Sequence, residues 1–212
     1  DYGWLDWTKN GAPAGTAALS KRLEAIQIVV VKKGEGAGYD TTRPYISGTG
    51  AGVYIAGAEA PVVKYRTHVQ DYGWQNYRYN GEVSGTYGES KRLEGINIYL
   101  NNKTYSGGIC YRTHVQDYGW QGWRYDGAMS GTSGESKRLE AIRLQLTGEM
   151  ANHYDIYYRV HAQDYGWLDW AKNGAPAGTA GLSKRLEGIQ IVIVPKGSAA
   201  PGSISRPFIQ SI

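Results

Sequence analysis

The chain has 212 residues, a formal net charge of +4, 30 glycines, 18 tyrosines, 7 tryptophans, 1 phenylalanine and 1 cysteine. Its lysines and arginines are spread among acids rather than gathered into the basic stripe of a nucleic-acid binder, and no apolar run reaches the roughly 20 residues of a membrane span. A lone Cys110 excludes a disulfide framework and a paired-thiol metal site.

In chain order, the first stretch is DYGWLDWTKNGAPAGTAALSKRLEAIQIVV from Asp1, and close copies start at Asp71, Asp117 and Asp164, so the last three units have periods of 46 and 47 residues. A fixed period of this size is the mark of a repeat architecture. The copies are of different kinds. Residues 1–31 match 164–194 at 27 of 31 positions, whereas 71–100 match 117–146 at 20 of 30. Only the first and last share Leu5-Asp6-Trp7 and Leu168-Asp169-Trp170, together with a tail ending Arg-Pro-aromatic-Ile at 43–46 and 206–209. The order is therefore the last unit of one triplet (1–46), a Gly/Ala-rich linker (47–61), then a complete triplet (62–212) with units of about 62–108, 109–155 and 156–212. This order implies a parent with tandem triplets.

Within a unit the period is two. Tyr111, Thr113 and Val115 alternate with Arg112, His114 and Gln116, and later Ile142, Leu144 and Leu146 alternate with polar residues. Such alternation predicts half-buried strands. Asn80-Gly81, Asp126-Gly127 and Asn173-Gly174 predict tight hairpins, because both turn positions tolerate positive φ. Leu139 and Ala141 are out of phase with Ile142, which predicts a bulge. One unit of three or four antiparallel strands cannot bury its apolar face alone. The expected fold is all-β, with three units closing around a pseudo-threefold axis as a β-prism; a β-trefoil is the alternative.

The polar face of each unit repeats Arg-x-His-x-Gln-Asp, and a Lys-Arg-Leu-Glu follows. This gives the sets Arg66, His68 and Glu94; Arg112, His114 and Glu140; Arg159, His161 and Glu187. His beside a carboxylate can do general acid–base work, but a catalytic site is normally single, and a constellation copied once per unit is expected as a structural polar network. Three histidines meeting on the axis would suit zinc, yet no unit supplies a local His pair, so neither metal nor cofactor is expected. Gly-Thr-x-Gly at 85–88 and 131–134 lacks the Lys and the helix of a phosphate loop and reads as a turn. The Gly-Trp rings Trp74, Trp120 and Trp167 are expected in the core. Three residues on, Tyr77, Trp123, Trp170 and Trp7, with Tyr79 and Tyr125 beside them, are the candidate ligand-binding rings, since flat rings next to Asp, Asn and Gln hold sugars and peptides.

Taken together, aromatic-Arg-x-His-x-Gln-Asp-x-Gly-Trp, then Asn/Asp-Gly, Gly-Thr and Arg-Leu-Glu-x-Ile, resembles the clostridial hydrophobic repeat with its eponymous Trp, the ChW repeat. The resemblance covers nearly all of 62–194 and 1–31. It departs at Tyr77, which replaces the second Trp, and in the first unit, which lacks its Arg-x-His strand. It implies a secreted or wall-associated protein of a Gram-positive bacterium whose repeats bind polysaccharide or cell-surface proteins; it brings no catalytic or ligand residues with it. The expected function is therefore non-enzymatic extracellular binding or adhesion. The alternative is a structural protein that assembles by strand exchange or stacking, with residues 1–46 offering an unpaired edge for self-association.

Overall fold

A computed structural model describes residues 14–17, 45–47 and 60–211. The chain divides into two compact units, Asp1–Ala60 and Pro61–Ile212. In the first, β1 (Gly15–Ala17) and β2 (Tyr45–Ser47) pair in parallel. The rest of 1–46, including Trp7 and the edge expected to self-associate, lies outside the described residues.

In the second unit each repeat is built on one long antiparallel hairpin. The first pairs β3 (Val62–Val69) with β7 (Leu93–Asn101), and β4 (Gly73–Trp74) and β5 (Arg78–Tyr79) lie along the other edge of β3. Between them comes β6 (Ser84–Gly85). The second repeat follows the same plan with β8 (Gly108–Val115), β9 (Gly119–Trp120), β10 (Arg124–Tyr125), β11 (Ser130–Gly131) and β12 (Leu139–Thr147). After a one-turn helix, α1 (Met150–His153), the third has β13 (Tyr154–Ala162), β14 (Gly166–Trp167), β15 (Ala171–Lys172), β16 (Ala177–Ala180), β17 (Leu186–Pro195) and a tail strand β18 (Phe208–Gln210).

The short strands at Ser84-Gly85, Ser130-Gly131 and Ala177-Gly178 do not stay in their own repeats. β6 pairs with β17 of the third repeat, β11 with β7 of the first, and β16 with β12 of the second. Each repeat thus hands one strand to a neighbour, and the exchange closes on itself after three steps. The result is three sheets, one per repeat, which share a single core of Val, Ile, Leu and Tyr side chains. The chain is all-β and prism-like: the sheets stay separate instead of merging into one barrel.

The alternation read in the sequence is the one observed: Val63, Tyr65, Thr67 and Val69 are buried while Arg66 and His68 face outward. The phase break at Leu139/Ala141 is a register shift, and it recurs at the same place in the other two hairpins. The extra residue is the glutamate of Arg-Leu-Glu each time. Both residues of the Asp126-Gly127 and Asn173-Gly174 turns have positive φ, as hairpin turns of this type require.

Three buried tyrosines tie the repeats together. Each hydroxyl donates to a carbonyl of its own repeat and accepts a backbone N–H from a neighbouring sheet. Tyr111 Oη donates to Ala128 O at 2.5 Å and accepts from Ile98 N at 3.0 Å. Tyr65 bridges Glu82 O and Ile191 N, and Tyr158 bridges Ala175 O and Leu144 N, in the same cyclic order as the strand exchange.

Candidate functional site

The outer face of each sheet carries one copy of the polar constellation. In the first repeat Arg92 Nε donates to Glu94 Oε1 at 2.8 Å, and His68 Nδ1 lies 3.0 Å from Oε2 but off the line of the ring N–H. Arg138–Glu140–His114 and Arg185–Glu187–His161 repeat the same distances within 0.1 Å. The three carboxylates are buried, each with Oε1 held by the neighbouring Arg through Nε and Nη2 and Oε2 facing the His ring.

Register decides where the Gly-Trp rings go. Trp74 pairs with His68, Trp120 with His114 and Trp167 with His161, and cross-strand partners share a face. The histidines face outward, so the tryptophans do too. This corrects the expectation that Trp74, Trp120 and Trp167 are core residues. They are half-buried, edge-on to their histidines at 5.4–5.5 Å. The guanidiniums of Arg66, Arg112 and Arg159 lie over them at 4.8, 5.2 and 5.0 Å.

The second set of rings continues this shelf. Arg66 also covers Tyr77 at 4.8 Å and Arg112 covers Trp123 at 4.9 Å, so each arginine spans two rings. Tyr77 and Trp123 are half-buried; Tyr79 and Tyr125, two residues further, are 42% and 58% exposed. In the third repeat the shelf is closed. Trp170 is 6% exposed, its backbone N–H donates to Ser203 O at 2.8 Å, Gly202 lies against its indole edge, and Asp169 holds Ser203 Oγ and Arg206 N at 2.9 and 2.8 Å. The tail after β17 thus lies over this ring. Trp170 is therefore corrected from a ligand-binding ring to a covered one, and the triplet has two open shelves rather than three.

Sequence reasoning passed over one feature. Gln70, Ser90 and Arg92, with their six counterparts in the other repeats, line a polar cavity of about 190 Å³ where the three repeats converge. The signal was present as Ser-Lys-Arg, once in every repeat, but it lies apart from the aromatic motif. Beside this opening Lys91 Nζ sits 2.6 Å from Asp71 and holds that carboxyl below its ordinary range; Lys137 does the same for Asp117. Among the described residues no group of three or more His, Cys, Asp or Glu is placed to hold a metal ion.

The model of the clostridial hydrophobic W family matches residues 1–32, 68–102, 114–148 and 161–195. The chain belongs to that family. No curated protein and no solved structure matches it. Each ChW match in the complete triplet runs from the outward histidine (68, 114, 161) to the end of the second long strand. The family signature therefore spans the His–Trp–Glu–Arg constellation and the exchanged strand. ChW repeats are typical of bacterial surface proteins, and no described helix is long and apolar enough to cross a membrane.

Proposed function

We propose that this chain is a non-catalytic, extracellular binding module whose open aromatic shelves hold saccharide chains of a cell surface or wall. The observation that carries the reading is the pair of shelves at Tyr77/Tyr79 and Trp123/Tyr125. Each sets an outward ring against an arginine and leaves a second ring about half exposed. Sugar rings stack their C–H faces on such surfaces, while the adjoining amides and guanidiniums satisfy hydroxyls. Repetition without a distinguishing acid–base group also supports binding, since each glutamate–histidine pair is the same in all three repeats.

The test is electrophoresis of the full chain through gels containing soluble polysaccharides, beside the Tyr79→Ala/Tyr125→Ala double variant. Retardation of the parent and its loss in the variant is the expected result. Equal mobility of both in every gel would remove the shelves from consideration.

A further inference from the structure

The second repeat differs from the other two at one outward position. In the first, Arg66 lies opposite Asn97 in the hairpin register and donates from Nε to its Oδ1 at 3.2 Å. In the third, Arg159 lies opposite Gln190 and donates to its Oε1 at 2.7 Å. Both amides then reach across to the next repeat, Asn97 to Gly127 O at 2.9 Å and Gln190 to Gly81 O at 2.7 Å. In the second repeat the residue opposite Arg112 is Arg143. Two cations face each other where the other repeats have a cation and an acceptor.

Among the described residues no acidic side chain pairs with either arginine, the nearby Glu140 being taken up by Arg138 and His114. The Nε atoms of Arg112 and Arg143 are both buried and, among the described residues, have no hydrogen-bond partner. Like charges directly opposite on one sheet face are unfavourable, and an unpaired buried donor adds to the cost. The two guanidiniums nevertheless lie together on the indole of Trp120, at 5.2 and 5.1 Å, and Arg112 continues onto Trp123 at 4.9 Å. Planar donors with fixed direction beside a stacking surface match a carboxylate, which two guanidiniums can bind through paired hydrogen bonds. The stacking surface matches the ring that carries it.

We propose that the shelf of the second repeat is an acidic-saccharide site, in which Arg112 and Arg143 jointly hold the carboxylate of a uronate whose ring lies on Trp123. The proposal deepens the saccharide reading and rests on it. The first repeat, with Asn97 in place of the second arginine, takes neutral sugar instead.

The experiment is titration of the full chain with trigalacturonate and with its methyl ester, followed by tryptophan fluorescence, at low and at raised salt. The variants are Arg143→Gln and Arg143→Asn, which install the residue that the third or the first repeat already carries and so keep the fold. The parent is expected to bind the acid at least ten-fold more tightly than the ester, with the margin shrinking as salt rises. Either variant is expected to erase the margin. Equal binding of acid and ester would overturn the acidic site while leaving the saccharide reading intact. A margin that survives in both variants would overturn the placement at Arg143. Absence of binding to either sugar would overturn both.

Discussion

At the scale of single residues, the glycines of the exchanged strands have little freedom. Gly131 has φ +108°, and a Cβ there would stand 2.3 Å from the carbonyl oxygen of Glu94. Gly85 and Gly178 meet the carbonyls of Glu187 and Glu140 in the same way. The bulge pushes each glutamate carbonyl toward the incoming strand, where Glu94 O accepts from Thr132 N–H and Glu187 O from Thr86 N–H, both at 2.8 Å. No side chain fits between. Gly131→Ala should lower the unfolding free energy by about 3 kcal/mol, combining backbone strain with displacement of main chain. Gly122 has open space around it, so Gly122→Ala is the control and should change little. Urea denaturation of both variants measures the difference; near-equal midpoints would mean that the exchanged strand is not held as described.

At the scale of elements, the hairpins were largely legible, because their information is local. Alternation fixed the buried face of β8, Asp126-Gly127 fixed the turn, and the phase break before Ile142 fixed the bulge. The destination of the Ser-Gly strand was not legible. Two residues that pair with a chain segment dozens of positions away carry no periodicity of their own, and Gly-Thr reads as a turn. The outward Trp120 was missed because its face is set by pairing to His114, which spacing along one strand cannot reveal. The closed shelf at Trp170 depends on a tail with no counterpart in the earlier repeats of the triplet. The inter-repeat hydrogen bond of Tyr111 belongs to the same class of long-range information. Tyr111→Phe keeps the ring and removes the hydroxyl, which leaves the buried Ile98 N–H and the more exposed Ala128 C=O without this partner. The expected loss is about 2 kcal/mol, read in thermal or urea unfolding. A variant as stable as the parent would mean that water or local relaxation satisfies both groups.

At the scale of the whole triplet, the strand exchange and the tyrosine bridges run in the same direction around the ring, from the first repeat to the third, the second to the first and the third to the second. No repeat contains a complete sheet, so stability resides in closure rather than in any one unit. That closure has a pH signature. Burial pushes the hydroxyls of Tyr65, Tyr111 and Tyr158 well above the ordinary phenol value, and the backbone hydrogen bonds they make only partly offset it. The unfolded chain releases these protons near pH 10, while the folded chain keeps them. Above that pH the folded state therefore binds more protons than the unfolded one, and stability must fall as pH rises. Each tyrosine contributes a slope of about 1.4 kcal/mol per pH unit, so the three together give about 4. Unfolding free energy measured against pH should thus hold up to about pH 10 and drop steeply beyond it. Tyr158→Phe should start from lower stability but lose about a third of that slope, since one titrating bridge is gone. An unchanged slope in the variant would place the alkaline transition elsewhere, in the exposed lysine–aspartate pairs Lys91–Asp71 and Lys137–Asp117.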